Sequence, residues 1–304
     1  MTSLPNFLNR RSLLAACLAA PWVAACTSPT AAPGANAPTL KAAHDALRQL
    51  ESDMGGRLGV AAFDGRPGSL ALLHRADERF PMCSTFKVIA AAGVLARSAR
   101  EPGLLNQRTR YTREDLVTYS PVTEKHVADG MTVAELCAAA LQYSDNTAGN
   151  LLIRLLDGPA GVTRYARSIG DEGFRLDRWE TELNTALPGD PRDSTTPASM
   201  ARSLQRLLLQ NGLPAAQRAQ LEQWMRGNTT GATRIQAGVP AGWAVADKTG
   251  AGAWGTTNDV GVVWRADGSP LVLAIYLAQP RADAPMRNDT VAAAARIAAQ
   301  ALTG

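Results

Sequence analysis

The chain is 304 residues long, with hydrophobic residues at 46%, charged residues at 19% and a formal net charge of +4 at pH 7. That is enough for one large domain or two modest ones with a substantial buried core, and the composition excludes a disordered chain, a collagen-like repeat and a multi-span membrane protein. The small positive surplus is scattered and the aromatics, at 5%, are not interleaved with it, which argues against a nucleic-acid partner.

Residues 1–26 run from a polar start through Arg10 and Arg11 into an apolar stretch at 13–25, too short for a permanent span, and so have the shape of an export signal. Arg10-Arg11-Ser12-Leu13-Leu14 is similar to a twin-arginine signal, and Val23-Ala24-Ala25-Cys26 to a bacterial lipobox. Export to the periplasm follows from either, with two alternatives at Cys26: a lipid anchor, or a plain cleavage site and a free protein. Residues 27–39, rich in Pro, Ala, Gly and Thr, read as a flexible tether, which leaves 40–304 as the working domain. Once Cys17 and Cys26 are lost or modified, only Cys83 and Cys137 remain, which is no disulfide framework. His44, His74 and His126 are isolated from one another and from both cysteines, so there is no zinc-ligand spacing and no metal is expected; each reads as a surface or packing residue.

In chain order, the apolar spacing of Leu40, Ala43, Leu47, Leu50 and Met54 predicts a helix over 40–54. Strands are expected over 57–64 and 69–75, separated by the turn Gly65-Arg66-Pro67-Gly68. Helical patterns follow at 84–97, 133–142, 148–156 and 197–210; strand character returns at 241–249, 259–265 and 271–278, and a last helix covers about 288–302. Strands at both ends with helices between them predict an α/β fold of the α+β sandwich kind: an antiparallel sheet built from both termini (about 40–79 and 228–304) and flanked by helices, an all-α lobe inserted at about 80–227, and a ligand cleft between the lobes. Trp179, Trp243 and Trp264 are assigned to the core, and Tyr143 to packing.

Only four of the 31 basic residues are lysines, Lys41, Lys87, Lys125 and Lys248. A chain that uses Arg elsewhere keeps Lys where a compact charge or a removable proton is needed. Lys87 closes Ser84-Thr85-Phe86-Lys87 at a predicted helix start, where residues three apart share a face, so that the Ser84 hydroxyl meets an amine. The helix N-terminus adds free N–H groups for a developing anion, and nucleophile plus base is what covalent acyl transfer requires. Alone, the pattern is better read as a helix-start serine beside a solvated lysine. It is joined, in order, by Ser144-Asp145-Asn146 between two helical segments and by Lys248-Thr249-Gly250 at a strand end. Three short motifs in this order are the signature of class A β-lactamases and penicillin-binding proteins.

The sequence resembles the class A serine β-lactamases, of the penicillin-recognising serine acyltransferase superfamily, through essentially all of 40–304. The likeness extends to Phe80-Pro81-Met82-Cys83, Tyr119-Ser120-Pro121-Val122-Thr123-Glu124-Lys125-His126, Arg178-Trp179-Glu180-Thr181-Glu182-Leu183-Asn184, Pro188-Gly189-Asp190-Pro191-Arg192-Asp193 and Asp247-Lys248-Thr249-Gly250. The resemblance implies hydrolysis of penicillins and many cephalosporins by a monomer without a cofactor. It assigns Ser84 as nucleophile, the N–H groups of Ser84 and Ala251 as oxyanion hole, Lys87 to acylation, Ser144 to proton relay and Glu180 to activation of the deacylating water, with Asn184 helping to hold that water. It further implies that Asn146, Lys248, Thr249, Gly250 and Gly252 contact the substrate, that Tyr119 lines the mouth, and that 178–193 is an Ω-loop with an ion pair at its neck. Some members carry a substrate-facing arginine where Asn288 stands here, and Arg234 matches the alternative position. Gly252 and Ala91 stand where the known disulfides would need partners for Cys83 and Cys137, so both bridges are missing and carbapenem hydrolysis loses its best support. Thr181 replaces a frequent proline, which leaves the 180–181 peptide bond open. The rivals are a D-alanyl-D-alanine transpeptidase with the same Ser84, Lys87, Ser144 and Lys248, which Glu180 with Asn184 argues against, and a β-lactam sensor, which the absence of an apolar run of 18 residues argues against.

Overall fold

The computed structural model describes residues 37–65 and 71–302. The export signal with Arg10, Arg11 and Cys26, residues 27–36 of the tether, Arg66 to Gly68 of the predicted turn, and Ser69 and Leu70 of the second predicted strand lie outside the described residues. The strands are β1 (Arg57–Asp64), β2 (Ala71–His74), the two-residue β3 (Phe80–Pro81), β4 (Arg108–Thr109), β5 (Met131–Thr132) and β6 (Ser194–Thr195), then β7 (Ala244–Ala251), β8 (Thr257–Trp264) and β9 (Pro270–Ala278). The helices are α1 (Ala37–Met54), α2 (Phe86–Ser98), α3 (Val133–Gln142), α4 (Asn146–Leu155), α5 (Pro159–Ser168), α6 (Pro197–Leu204), α7 (Ala215–Arg226), the short α8 (Ile235–Gly238) and α9 (Asn288–Ala301). Among the described residues no helix is long and apolar enough to cross a membrane.

The main sheet has the order β2-β1-β9-β8-β7 with antiparallel neighbours throughout, so strands from both ends of the domain make one sheet, as the sequence predicts. β1 pairs with β9 over its whole length, from Arg57 opposite Ala278 to Asp64 opposite Leu271. Leu58 to Ala62 form an unbroken buried run, which a strand shows when both sheet faces are covered. On one face α1 and α9 bury Leu47, Leu58, Leu273, Leu277 and Val291. On the other, Phe80, Phe86, Leu95, Leu136, Leu152, Met200 and Tyr276 join one core with the helical block. α2 lies at its centre, with its first ten residues all buried. A helix apolar all round belongs in such a place, and it carries Lys87 in with it.

Local chemistry sets the neighbouring helix starts. Thr132 and Glu135 form a reciprocal capping box at α3. The Asp145 side chain accepts the Ala148 N–H at 2.8 Å to cap α4, and its other oxygen accepts those of Val122 and Thr123 at 3.0 and 2.9 Å. One buried carboxylate thereby ties the 119–125 segment to the start of α4.

Several expectations need correction. α1 begins at Ala37, so the last three tether residues are helical. The helix expected over 84–97 begins as a 3-10 turn, Cys83–Thr85, before α2, and that expected over 197–210 divides into α6 and a π-helical stretch, Gln205–Leu209. α5 and α7 were not expected: α5 opens on Gly158-Pro159, which reads as a turn, and α7 buries only Leu221, Trp224 and Met225. Trp179 is 37% exposed and Tyr143 43%, so neither is a core residue. Trp243 and Trp264 are half-buried, each with an arginine over its ring: Arg265 at 6.0 Å and Arg226 at 4.1 Å.

The 178–193 loop is closed at its neck. Arg178 Nε donates to Asp193 Oδ2 at 2.5 Å, while Asp193 Oδ1 accepts the N–H groups of Asp177 and Arg178 at 2.8 and 2.9 Å. Asp193 is buried and Leu183 anchors the loop in the core. Replacing Asp193 by Ala strands a partly buried guanidinium and two N–H groups. The expected loss is about 3–5 kcal/mol in a denaturant titration, with faster proteolysis within 178–193. Leu47→Ala, which empties a fully buried site between α1 and the sheet, is expected to lose about 2–5 kcal/mol in the same measurement while leaving loop proteolysis unchanged.

Candidate active site

The start of α2 is assembled under strain. Cys83, at the head of the 3-10 turn, has φ 46°, a left-handed conformation that costs a non-glycine residue about 1–3 kcal/mol. The turn is held by Thr85, whose hydroxyl donates to Met82 O at 2.8 Å and lies 3.1 Å from the Tyr276 hydroxyl. It presents Ser84 and Lys87 on one side, and Lys87 Nζ donates to Ser84 Oγ at 2.9 Å.

Lys87 is fully buried. Its Nζ also meets Ser144 O at 2.8 Å, Asn146 Oδ1 at 2.7 Å and Glu180 Oε1 at 2.9 Å. Gly149, one turn further along α4, leaves room for this side chain: a Cβ there would stand 2.8 Å from Lys87 Cε. Glu180, buried as well, takes the Ser84 hydroxyl at 3.3 Å on Oε1 and Asn184 Nδ2 at 2.5 Å on Oε2. The peptide bond it forms with Thr181 is cis. Asn150 brackets that residue from α4, accepting the Glu180 N–H at 2.8 Å and donating to the Glu180 carbonyl at 2.9 Å. Neither Gly149 nor Asn150 was singled out in the sequence. The available signal was Asn150 one turn after Asn146, on the same helix face.

The opposite wall is β7, which at the end of the sheet order pairs with β8 alone. Lys248 Nζ donates to Ser144 Oγ at 3.0 Å and to Thr249 O at 2.7 Å, again fully buried. Burial, and then repulsion from Lys87, pushes its ammonium well below the usual lysine range. Ser144 sits at φ 58° and Tyr119 at φ 66°, two more left-handed residues, and the Tyr119 carbonyl accepts the Asn146 N–H at 3.0 Å. Tyr119 itself is 57% exposed. Gly250 lets β7 pass against the Cys83–Thr85 turn, since a Cβ there would come within 2.8 Å of Met82 O. A Cβ on Gly252 would lie 2.7 Å from Cys83 Sγ and from Asn184 O, so only glycine fits beside that thiol without adjustment. Ala251, between them, is exposed, and the Thr249 hydroxyl bonds that of Thr230.

Arg234 is buried behind this strand. Its Nη1 donates to Gly250 O at 2.9 Å and Asn258 O at 2.7 Å, and its Nε to Asn288 Oδ1 at 2.8 Å. Arg234 and Asn288, the two positions compared in the sequence, are thus in contact. Cys83 and Cys137 are free, and burial pushes both thiols up, which leaves them inert as nucleophiles. A cavity of about 860 Å³ bordered by Arg57, Phe80, Leu187, Trp254 and Gln279 holds none of the groups just described.

The model of the beta-lactamase enzyme family matches residues 42–302 of this chain. The chain is 55% identical over 268 residues to Beta-lactamase OXY-1 of Klebsiella oxytoca, covering 87% of this chain and 92% of that protein. It is 50% identical over 296 residues to the carbapenem-hydrolyzing beta-lactamase KPC of Klebsiella oxytoca, covering 97% of this chain and 98% of that protein. The crystal structure of a beta-lactamase from Desulfarculus baarsii DSM 2075 matches with a TM-score of 0.86 at 57% identity, over 87% of this chain and 98% of that one. Likeness of this depth along nearly the whole domain is likeness of family, and the chain belongs to the class A serine beta-lactamases.

Proposed function

We propose that this protein hydrolyses β-lactam antibiotics through an acyl-enzyme on Ser84, released by water that Glu180 activates. The observation that carries the reading is the shared hydrogen-bond shell of Ser84 Oγ: Lys87 Nζ at 2.9 Å and Glu180 Oε1 at 3.3 Å. A hydroxyl between an amine and a carboxylate is a nucleophile with its proton acceptor in place. In acylation Ser84 Oγ bonds to the β-lactam carbonyl carbon and its proton passes to Glu180, either directly or through Lys87 once that ammonium has given a proton to Glu180 Oε1, 2.9 Å away. The developing oxyanion is received by the N–H groups of Ser84 and Ala251, each worth about 3 kcal/mol in comparable sites. The ring C–N bond breaks, and its nitrogen takes a proton from the Ser144 hydroxyl, which is replaced by one from Lys248 Nζ, 3.0 Å away, and Lys248 is reprotonated from solvent.

Deacylation runs the same chemistry with water. Glu180, whose Oε2 is pinned by Asn184, removes a proton from a water molecule; the oxygen attacks the acyl carbon, and Ser84 Oγ leaves with a proton. Lys248, Thr249 and Arg234 supply the environment of the substrate carboxylate, Asn146 and the edge from Thr249 to Gly252 that of its side-chain amide, and Tyr119 the mouth. Penicillins and many cephalosporins are the proposed substrates. The KPC relative is named for carbapenem hydrolysis, whereas Gly252 stands here beside Cys83, so carbapenems are left out of the proposal. Exported by its leader, the enzyme would act in the periplasm as a monomer, anchored if Cys26 is lipidated.

Ser84→Ala is expected to abolish turnover of a chromogenic cephalosporin, with no acyl adduct by mass spectrometry. Glu180→Ala is expected to release about one product per enzyme and then stall, with deacylation slowed roughly 10²–10⁴-fold. Sustained turnover by either variant refutes its assigned role. Chelator treatment is expected to leave the wild-type rate unchanged.

A further inference from the structure

Two buried carboxylates near Lys248 and Arg234 take no part in the proposed reaction. Asp247 precedes Lys248 on β7, and Asp259 lies opposite Thr249 on β8. Asp247 itself opposes Gly261, which makes the two acids diagonal neighbours on one face of the sheet, within side-chain reach. Asp259 is fully buried and Asp247 nearly so. Asp259 Oδ2 accepts the Ile235 N–H at 3.0 Å, but Asp259 Oδ1 and Asp247 Oδ2 are buried without a hydrogen-bond partner among the described residues. Asn228 Nδ2 has none either, and it borders the same space as Asp247 Oδ2: a Cβ on Gly231 would come within 2.9 Å of the first and 1.9 Å of the second. The charged groups acting on the pair are Lys248, beside Asp247 on β7, and Arg234, just ahead of α8.

Two ionised carboxylates could not remain in this place. Asp259 Oδ1 lacks a donor, Asp247 Oδ2 has only the nearby Asn228 amide to offset its charge, and the two charges repel at low dielectric. One proton removes both defects, since a protonated Asp259 becomes a donor and Asp247 its charged acceptor, and such O–H···O⁻ bonds are among the strong ones. Burial raises both acids, Asp259 the further because the Asp247 charge adds to it.

We infer that Asp247 and Asp259 share a single proton, carried on Asp259, and that the pair is a positioning device that sets one negative charge, not two, against Arg234 and Lys248. With Lys87 offset by Glu180, the two remaining cations keep one unit of positive charge in excess, the complement of one substrate carboxylate. The inference rests on the role proposed above for Arg234 and Lys248.

The test uses Asp259→Asn, whose amide can still donate to Asp247 and accept from Ile235 but carries no titrating proton. Because Asp259 binds its proton more tightly folded than unfolded, the folded protein holds more protons above the ordinary carboxylate pKa of about 4, and its stability falls as pH rises toward the raised value. Between about pH 5 and pH 8, the Tm of the variant minus that of the wild type is therefore expected to widen steadily. With a penicillin at pH 7 the variant should keep KM within about threefold and kcat unchanged, because the wild-type pair already carries one charge. As pH rises far enough to draw the shared proton from the wild-type pair, KM should rise less steeply in the variant, the Lys248 titration being common to both proteins. Parallel Tm curves, a narrowing gap, or a KM change beyond about tenfold at pH 7 would overturn the proposal. Should Asp259→Asn fail to fold, Asp247→Asn leaves the same single charge and is expected to give the same widening gap. The melting series needs no substrate: absent hydrolysis by the wild type would refute the proposed function and still leave the shared proton tested.

Discussion

A buried ammonium governs the architecture of this site. Lys87 lies on the most deeply buried helix of the domain, where an unpaired charge would be untenable. Its Nζ is met by oxygens of Ser84, Ser144, Asn146 and Glu180, which come from three separate stretches of chain. Withdrawing one partner leaves a charge without its compensation, commonly a loss of about 3–5 kcal/mol for a buried ion pair. The Ser84 turn, the start of α4 and the 178–193 loop are therefore not independent parts. Each is held in place by the same three protons, and the neck pair of Arg178 and Asp193 keeps the loop that carries Glu180 from drifting away.

Around that charge the backbone is bent in ways that ordinary preference resists. Cys83, Tyr119 and Ser144 all adopt left-handed conformations although none is glycine. Strain of this kind persists only where surrounding contacts over-determine it. Here those contacts are visible: Thr85 ties the first turn to Met82 and Tyr276, and Asp145 caps α4 while gripping Val122 and Thr123. Glycine is reserved for close approach, as at Gly149 beneath the Lys87 stem and at Gly250 where β7 crosses the Ser84 turn.

The second wall is also an arrangement of charge. Lys248 and Arg234 are both buried, both depressed by desolvation, and both held against that loss by the charge of Asp247 and Asp259. The substrate carboxylate of the proposed reaction would need cations that are held rigidly without being neutralised. Hydrogen bonds from Arg234 to the carbonyls of Gly250 and Asn258 supply the rigidity without an opposing charge.

Much of this was legible in the chain itself. The opening helix, β1, α3, the last three strands and the closing helix follow from periodicity, because each buries one face or lies between two apolar layers. The three short motifs and Glu180 with Asn184 were legible because the chemistry proposed for them, acyl transfer, restricts which residue types can stand at those spacings. What the sequence could not decide is what depends on neighbours distant in the chain. α7 shows too little apolar periodicity to announce itself, and α5 hides behind a Gly-Pro that also reads as a turn. Trp179 reads as a core residue and Tyr143 as a packing residue by type, yet both are exposed in the folded protein. Composition alone determined that Lys87, Lys248, Asp247 and Asp259 exist; only the tertiary structure decided that they are buried together, and burial is what turns four ordinary titratable side chains into a set whose protons and charges depend on one another.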